Sequence, residues 1–301
     1  MKFSMFADFH RYPGVFRAGS YEDWNCIRDR AVREGAEFIL HAGDLCHGPA
    51  TIPDFIEEID RCPLPVYHCL GNHDSDHTPY ADTLKAYHMP DGHYFFDHGG
   101  YRFVICDPNY YYADGEYIHY DMGNYFGHPE ARDHMPPEQL RWLEETIASA
   151  EGPCILVSHE SFERPDGVKN RAAVQAIINE ANKRRPHSVL MCINGHHHRD
   201  NLRILDGVLY WDLNSTAYEW VSPAHDKFPD ELAAQYRLLR NTLMYNDPVH
   251  AIVTLEGTTI TIEGMESTMF MGINNAEIGR KLYDAAGRPV TPCVQSVKLT
   301  L

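Results

Sequence analysis

The chain has 301 residues, 44% hydrophobic and 23% charged, with 43 acidic against 26 basic side chains and a net charge of −17. That balance excludes disorder and collagen-like structure, and it opposes non-specific binding to nucleic acid or docking on anionic membranes. Mean hydropathy is −0.43, and no apolar run approaches the roughly 18 residues of a membrane span. Residues 1–7 read as a strand rather than as a secretory leader. The eight cysteines are scattered without C-x-x-C spacing, the pattern of free thiols in a reducing cytoplasm.

In chain order, short apolar runs at 2–7, 38–42 and 66–70 predict strands, each ending in a polar, Gly-containing stretch. A helix lies between the first two, with Ser20 as N-cap, Asp23 three residues on, Trp24, Ile27 and Ala31 on one face, and Gly35 as the stop. A second helix is predicted over 52–61. This β-α-β-α-β order implies parallel strands with right-handed crossovers. Further on, 93–96 and 102–106 read as a hairpin turning at Gly99-Gly100, 136–150 as a helix, 154–157 as a buried strand, 172–183 as a helix and 189–193 as a strand. Hairpins follow across Asp206-Gly207 and Glu256-Gly257. The hairpin-rich second half predicts a second sheet packed on the first. The chain reads as one domain, with a core of about 1–263 and a C-terminal extension, 264–301, that has no clear pattern.

Polar groups cluster just past the strand ends, where open α/β sheets place their sites. They are Asp8-Phe9-His10, Gly43-Asp44, Gly71-Asn72-His73-Asp74, Ser158-His159 and Gly195-His196-His197-His198. Carboxylates, imidazoles and an amide are donors suited to Mn, Fe or Zn, and so many of them suit two adjacent ions that share a carboxylate.

This series resembles the calcineurin-like metallophosphoesterases, in particular the class III cyclic-nucleotide phosphodiesterase branch, over about 1–215. The resemblance implies a four-layer α/β/β/α sandwich with two mixed sheets and a dimetal site at the strand ends. By the same resemblance Asp8, His10 and His198 would hold one metal, Asn72, His159 and His196 the other, and Asp44 would bridge them. His73 would face the phosphoryl group without binding metal, oriented by Asp74, and His197 would be a spacer. The chemistry implied is in-line attack by a metal-bridging hydroxide, with His73 stabilising or protonating the leaving oxygen. Protein phosphatases carry Arg shortly after the Gly-Asp, where this chain has Leu45, Cys46 and His47. Purple acid phosphatases have a Tyr ligand there and lack the first-motif His, whereas His10 is present here.

Two stretches interrupt the pattern. Residues 108–135 hold Tyr110, Tyr111, Tyr112, Tyr117, Tyr120 and Tyr125, and residues 215–247 hold Tyr218, Trp220, Arg237 and Arg240. Loops this long tend to shape a pocket, and aromatic and Arg side chains there suit a base or sugar and a phosphate. His47, Tyr110, Tyr111, Tyr112 and Trp220 are accordingly the expected substrate contacts. The expected activity is hydrolysis of a small phosphomonoester or phosphodiester, nucleotide-like or sugar-like. A nuclease of the same superfamily would want a basic stripe, and Lys183-Arg184-Arg185 alone offers one. A non-catalytic scaffold should have lost ligands, and all seven are present. No membrane partner is expected, and a homo-oligomer is left open.

Overall fold

The computed structural model describes residues 1–283 and 290–301. Strand β1 (Lys2–Phe6) leads into helix α1 (Tyr21–Arg33), which opens on the expected capping box: Ser20 Oγ accepts from the Asp23 amide, and the Asp23 carboxylate accepts from the Ser20 amide. Strand β2 (Ile39–Ala42), helix α2 (Pro53–Asp60) and strand β3 (Val66–Cys69) complete three parallel strands. After helix α3 (Tyr80–Ala86), which carries no clear sequence signal, come the antiparallel strands β4 (Tyr94–His98) and β5 (Tyr101–Ile105).

The first interruption folds as a hairpin of β6 (Tyr110–Ala113) and β7 (Glu116–His119), followed by a single 3-10 turn at Asn124–Gly127. Helix α4 (Pro137–Ala148), strand β8 (Cys154–Val157), helix α5 (Arg171–Arg184) and strand β9 (Val189–Asn194) follow, then the hairpin of β10 (Asn201–Leu205) and β11 (Val208–Asp212). The second interruption pairs β12 (Tyr218–Trp220) with β13 (Thr242–Met244) around helix α6 (Asp230–Gln235). Strands β14 (Ala251–Glu256), β15 (Thr259–Glu263) and β16 (Val297–Thr300) end the chain.

Two six-stranded mixed sheets result, ordered β16-β15-β14-β1-β2-β3 and β10-β11-β9-β8-β5-β4. The hairpin across Gly257 joins the first sheet rather than the second, because β14 pairs antiparallel with β1. The stretch after residue 264, unplaced by its pattern, returns as β16 on the edge of that sheet. Between the sheets lies a continuous apolar layer including Phe3, Met5, Phe38, Phe103, Ile155, Met191 and Trp211. Trp24, Ile27 and Ala31 of α1 and Phe55 of α2 cover the outer face of the first sheet. Leu143 and Ile147 of α4 and Val174 and Ile178 of α5 cover the second. The order is α/β/β/α. Each buried Phe, Ile or Leu in these layers contributes about 1.5–3 kcal/mol, which suffices to hold a rim of strained polar turns.

Candidate metal centre

That rim is where β1, β2, β3, β8 and β9 deliver the five motifs. Asp8, His10, Asp44, His196 and His198 all have positive φ, between 48° and 67°. Non-glycine residues in this region cost roughly 1–3 kcal/mol each, and clusters of them mark functional sites. The glycines beside them are required by close approach. A Cβ at Gly71 would collide with the Asp44 carboxylate, at Gly43 with the His159 ring, and at Gly195 with the Asp8 carboxylate.

Two donor sets share Asp44. In the first, His10 Nε2 lies 3.1 Å from His198 Nε2, 3.7 Å from Asp8 Oδ1 and 3.6 Å from Asp44 Oδ2. In the second, His159 Nε2 lies 3.1 Å from the same Asp44 Oδ2, and His196 Nδ1 lies 3.0 Å from Asn72 Oδ1. Asp44 Oδ1 accepts from the His73 amide at 2.8 Å, which turns Oδ2 toward both sets. His159 Nδ1 is 2.8 Å from the Ala42 carbonyl and His198 Nδ1 is 2.7 Å from that of Tyr218. A carbonyl only accepts, so both rings carry a proton on Nδ1, which leaves Nε2 as the atom that would bind a metal, as in metal-binding histidines. His159 Nε2 is fully buried against the Asp44 carboxylate, which outweighs burial and raises the pKa of the ring well above its ordinary value. Converging, desolvated donor atoms of this kind fit two cations, and the oxygen and imidazole donors fit Mn, Fe or Zn.

The electrostatics agree. Burial opposes ionisation of Asp8 and Asp44, yet the surrounding imidazoles, His198 foremost for Asp8 and His159 for Asp44, hold both carboxyls well below the usual range. Burial pushes His10 down to about 3 and His196 to about 4, leaving both neutral. Burial also works against protonation of His73, but Asp44 and Asp76 overcome it and raise its pKa.

The expected orienter of His73 is corrected by the geometry. Asp74 faces away from the His73 ring: its carboxylate accepts from the amides of Asp44, Gly71 and Cys46 and from the Tyr87 hydroxyl. It braces the turns, and burial with the nearby Asp44 lifts its pKa to about 7. Asp76 takes the other role, with Oδ2 2.6 Å from His73 Nδ1. The same oxygen lies 3.1 Å from His47 Nδ1, and His47 Nε2 lies 3.3 Å from His10 Nδ1. His47 therefore belongs to the site, packed at a tilt between Tyr12 and His73.

Among the expected substrate contacts, Trp220 reaches the centre, its ring 6.1 Å from that of His10 and 6.3 Å from that of His198. Tyr110, Tyr111 and Tyr112 pack within their own hairpin and its neighbours instead, against His119, His128 and Tyr117 respectively. Strand alternation sends their side chains along the hairpin surfaces, and it is the following 3-10 turn that approaches the donor residues. There the Tyr125 hydroxyl donates to Asp76 Oδ1 at 2.9 Å and accepts from Asn72 Nδ2 at 3.2 Å. Arg237 and Arg240 are engaged elsewhere, with the Tyr12 hydroxyl and with Asp230. Arg132, stacked over the Tyr125 ring, has no carboxylate partner among the described residues. His197 sits beside His196, half-buried. Cys46 is a buried thiol against the Tyr87 hydroxyl, with its pKa raised by burial. Asp76 carries no motif of its own, and Tyr125 and Tyr218, whose ring packs 5.4 Å from His10, belong to the two aromatic stretches but not to the expected contacts. The position of Asp76, three residues after His73, is the one signal that was available for it.

Comparisons with known proteins follow the same lines. The sequence profile described as calcineurin-like phosphoesterase matches residues 1–200. The DNA double-strand break repair protein Mre11 of Archaeoglobus fulgidus is 32% identical over 101 residues, 30% of this chain and 22% of that protein. The chain thus spans about a fifth of the length of that relative. A dimetal phosphatase from Danio rerio superimposes with a TM-score of 0.63 at 16% identity, over 89% of this chain and 98% of the other. GAP50, the anchor in the inner membrane complex of Plasmodium, gives 0.56 at 13% identity, over 100% and 89%. At these identities the two structures share the fold.

Proposed function

The chain belongs to the calcineurin-like phosphoesterase family; we propose that it is a metal-dependent phosphoric ester hydrolase acting on a small phosphomonoester or phosphodiester with a flat or sugar-like leaving group. The observation that carries this reading is the partly exposed His73 ring beside two complete donor sets, with Trp220 against His10. Asp8, His10 and His198 hold one ion, Asn72, His159 and His196 the other, and Asp44 serves both; Mn, Fe or Zn is the resident pair. When bound, two such ions supply a deprotonated water at neutral pH and neutralise phosphoryl oxygens.

His73 does the remaining chemistry. Its Nδ1–H donates to Asp76, which orients the ring and leaves Nε2 to carry a proton to the leaving oxygen. Asp74 contributes indirectly, by fixing the backbone of Asp44 and Gly71. Trp220 stacks on the leaving group, and His47 lines the same side. Arg132 offers a guanidinium for an anionic group of the substrate. With a net charge of −17, long polyanions are repelled beyond the local positive field of the metals. The nuclease reading gains nothing from the basic triplet, because Arg184 pairs with Glu180 and Arg185 is bound to the carbonyls of Ala150 and Gly152. Eight free cysteines suit a cytoplasmic setting, and no helix among the described residues is long and apolar enough to cross a membrane.

The test is turnover of metal-reconstituted protein on a panel of small mono- and diesters, double-stranded DNA and a phosphoprotein. Small esters cleaved with the macromolecules ignored is the expected result. The reverse pattern overturns the assignment.

A further inference from the structure

Immediately after His159 stands Glu160, whose side chain the reading above does not use. The residue is fully buried, and neither carboxylate oxygen has a hydrogen-bond partner. Its own backbone amide favours the ionised carboxyl, but burial outweighs this and raises the pKa well above the usual carboxylate range. Leaving a buried acceptor unpaired costs about 1–3 kcal/mol, and more for a charged group. Native structures carry few such groups, and an ion is one of the ordinary explanations.

The surroundings narrow the choice. A Glu160 oxygen lies within 4.8 Å of a ring nitrogen of His159 and of one of His196. Arg164, four residues on, is paired with Asp166 and Asp212. The other charged neighbours of Glu160 besides His159 are the carboxylates Asp133 and Asp44. Asp133 is itself fixed by the Tyr120 hydroxyl at 2.8 Å. A third acid among two acids and two imidazoles, dry and unpaired, is a donor facing a cation position.

We propose that Glu160 is a further ligand of the second metal position, making it a site of three oxygen and two nitrogen donors from Asp44, Asn72, Glu160, His159 and His196. The inference rests on the dimetal reading and extends it. The first position, with Asp8, Asp44, His10 and His198, keeps four protein donors. The two positions are therefore unequal. A five-donor, oxygen-rich set that solvent completes to six suits Mn(II) or Fe(II), whereas Zn(II) prefers four-coordinate tetrahedral sites. Glu160 thus selects against Zn at the second position.

The test is titration of metal-free wild-type and Glu160→Gln protein with Mn(II), followed by calorimetry and by the paramagnetic resonance signal of free Mn(II), then repeated against competing Zn(II). Wild type should take two ions per chain. Glu160→Gln should keep the first and bind the second at least 10–100-fold more weakly, with its preference for Mn over Zn at that position reduced. Glu160→Asp, which keeps the charge on a shorter reach, should fall between them. Thermal denaturation separates ligation from packing. In chelator the Gln variant should be at least as stable as wild type, and in excess Mn(II) it should be less stable. Equal second-ion affinity in both proteins, or a loss of stability in chelator as well, overturns the role of Glu160 and leaves the two-ion reading standing. A wild-type chain that binds one ion or none overturns both.

Discussion

His73 Nδ1 stands 2.6 Å from Asp76 Oδ2, three residues along the same turn, while Asp74, its immediate neighbour, spends both oxygens on backbone amides and a tyrosine. The two acids of Asn72-His73-Asp74-Ser75-Asp76 therefore divide the work, one holding the imidazole and the other holding the loops that carry Asp44.

Exchange of the two acids should separate these roles. Asp76→Asn should leave both metals bound and the fold intact while lowering kcat by about 10²-fold, near the low end for a positioned acid. Asp74→Ala should instead lower the unfolding free energy by several kcal/mol, since each buried donor left unpaired costs about 1–3. Steady-state kinetics and denaturant unfolding of the two variants check this. An Asp74 variant of normal stability with the Asp76 kinetic phenotype would reverse the assignment.

Tyr125 should matter more than the tyrosines before it. Its hydroxyl joins Asn72, which sits in the second donor set, to Asp76, which holds His73. Tyr125→Phe should weaken metal retention about 10-fold, as loss of an outer hydrogen bond to a ligand does. Replacing Tyr110, Tyr111 and Tyr112 with Ala should leave metal content unchanged, because their contacts lie within the insertion. Metal content after dialysis distinguishes them.

Trp220→Ala should raise KM for the preferred ester and barely change it for a nitrophenyl ester, because only the former needs stacking, worth about 1–3 kcal/mol for a base. An equal rise for both would mean that Trp220 supports His10 and His198 rather than the substrate.

The sequence made the strand ends legible because each motif follows an apolar run whose period and length are unambiguous. The Ser20 cap and the turns at Gly99-Gly100 and Asp206-Gly207 were legible for the same local reason. What it concealed is set by distance along the chain. That β14 pairs with β1 and β16 closes the sheet edge depends on contacts some 250 residues and some 40 residues apart. Strand β6 looked like a pocket wall because tyrosines repeat there, but hairpin pleating decides where they point. Glu160 was passed over because an acid beside a ligand histidine is ordinary in sequence, and only burial without a partner makes it informative.

Three histidines outside the centre set a pH dependence of stability. Burial, with His88 adding, pushes His68 down to about 3; burial, with Arg30 adding, does the same to His250; and burial with His68 nearby holds His41 well below its ordinary value. The unfolded chain takes up these protons near pH 6.5 and the folded chain refuses them. Stability is therefore fully present above about pH 6.5 and is lost as pH falls toward 3. In chelator, His68→Phe should lose about 2 kcal/mol less than wild type between pH 7 and pH 5. Urea unfolding at the two pH values measures it, and equal losses in both proteins would contradict the buried neutral state.

The central claim is that Asp44 serves two ions at once, its Oδ2 lying 3.6 Å from His10 Nε2 and 3.1 Å from His159 Nε2. Elemental analysis of wild type and Asp44→Ala purified without chelator tests it most directly. The account predicts close to two transition ions per wild-type chain, and loss of metal together with nearly all esterase activity in Asp44→Ala. Two retained ions and full activity in Asp44→Ala would contradict it.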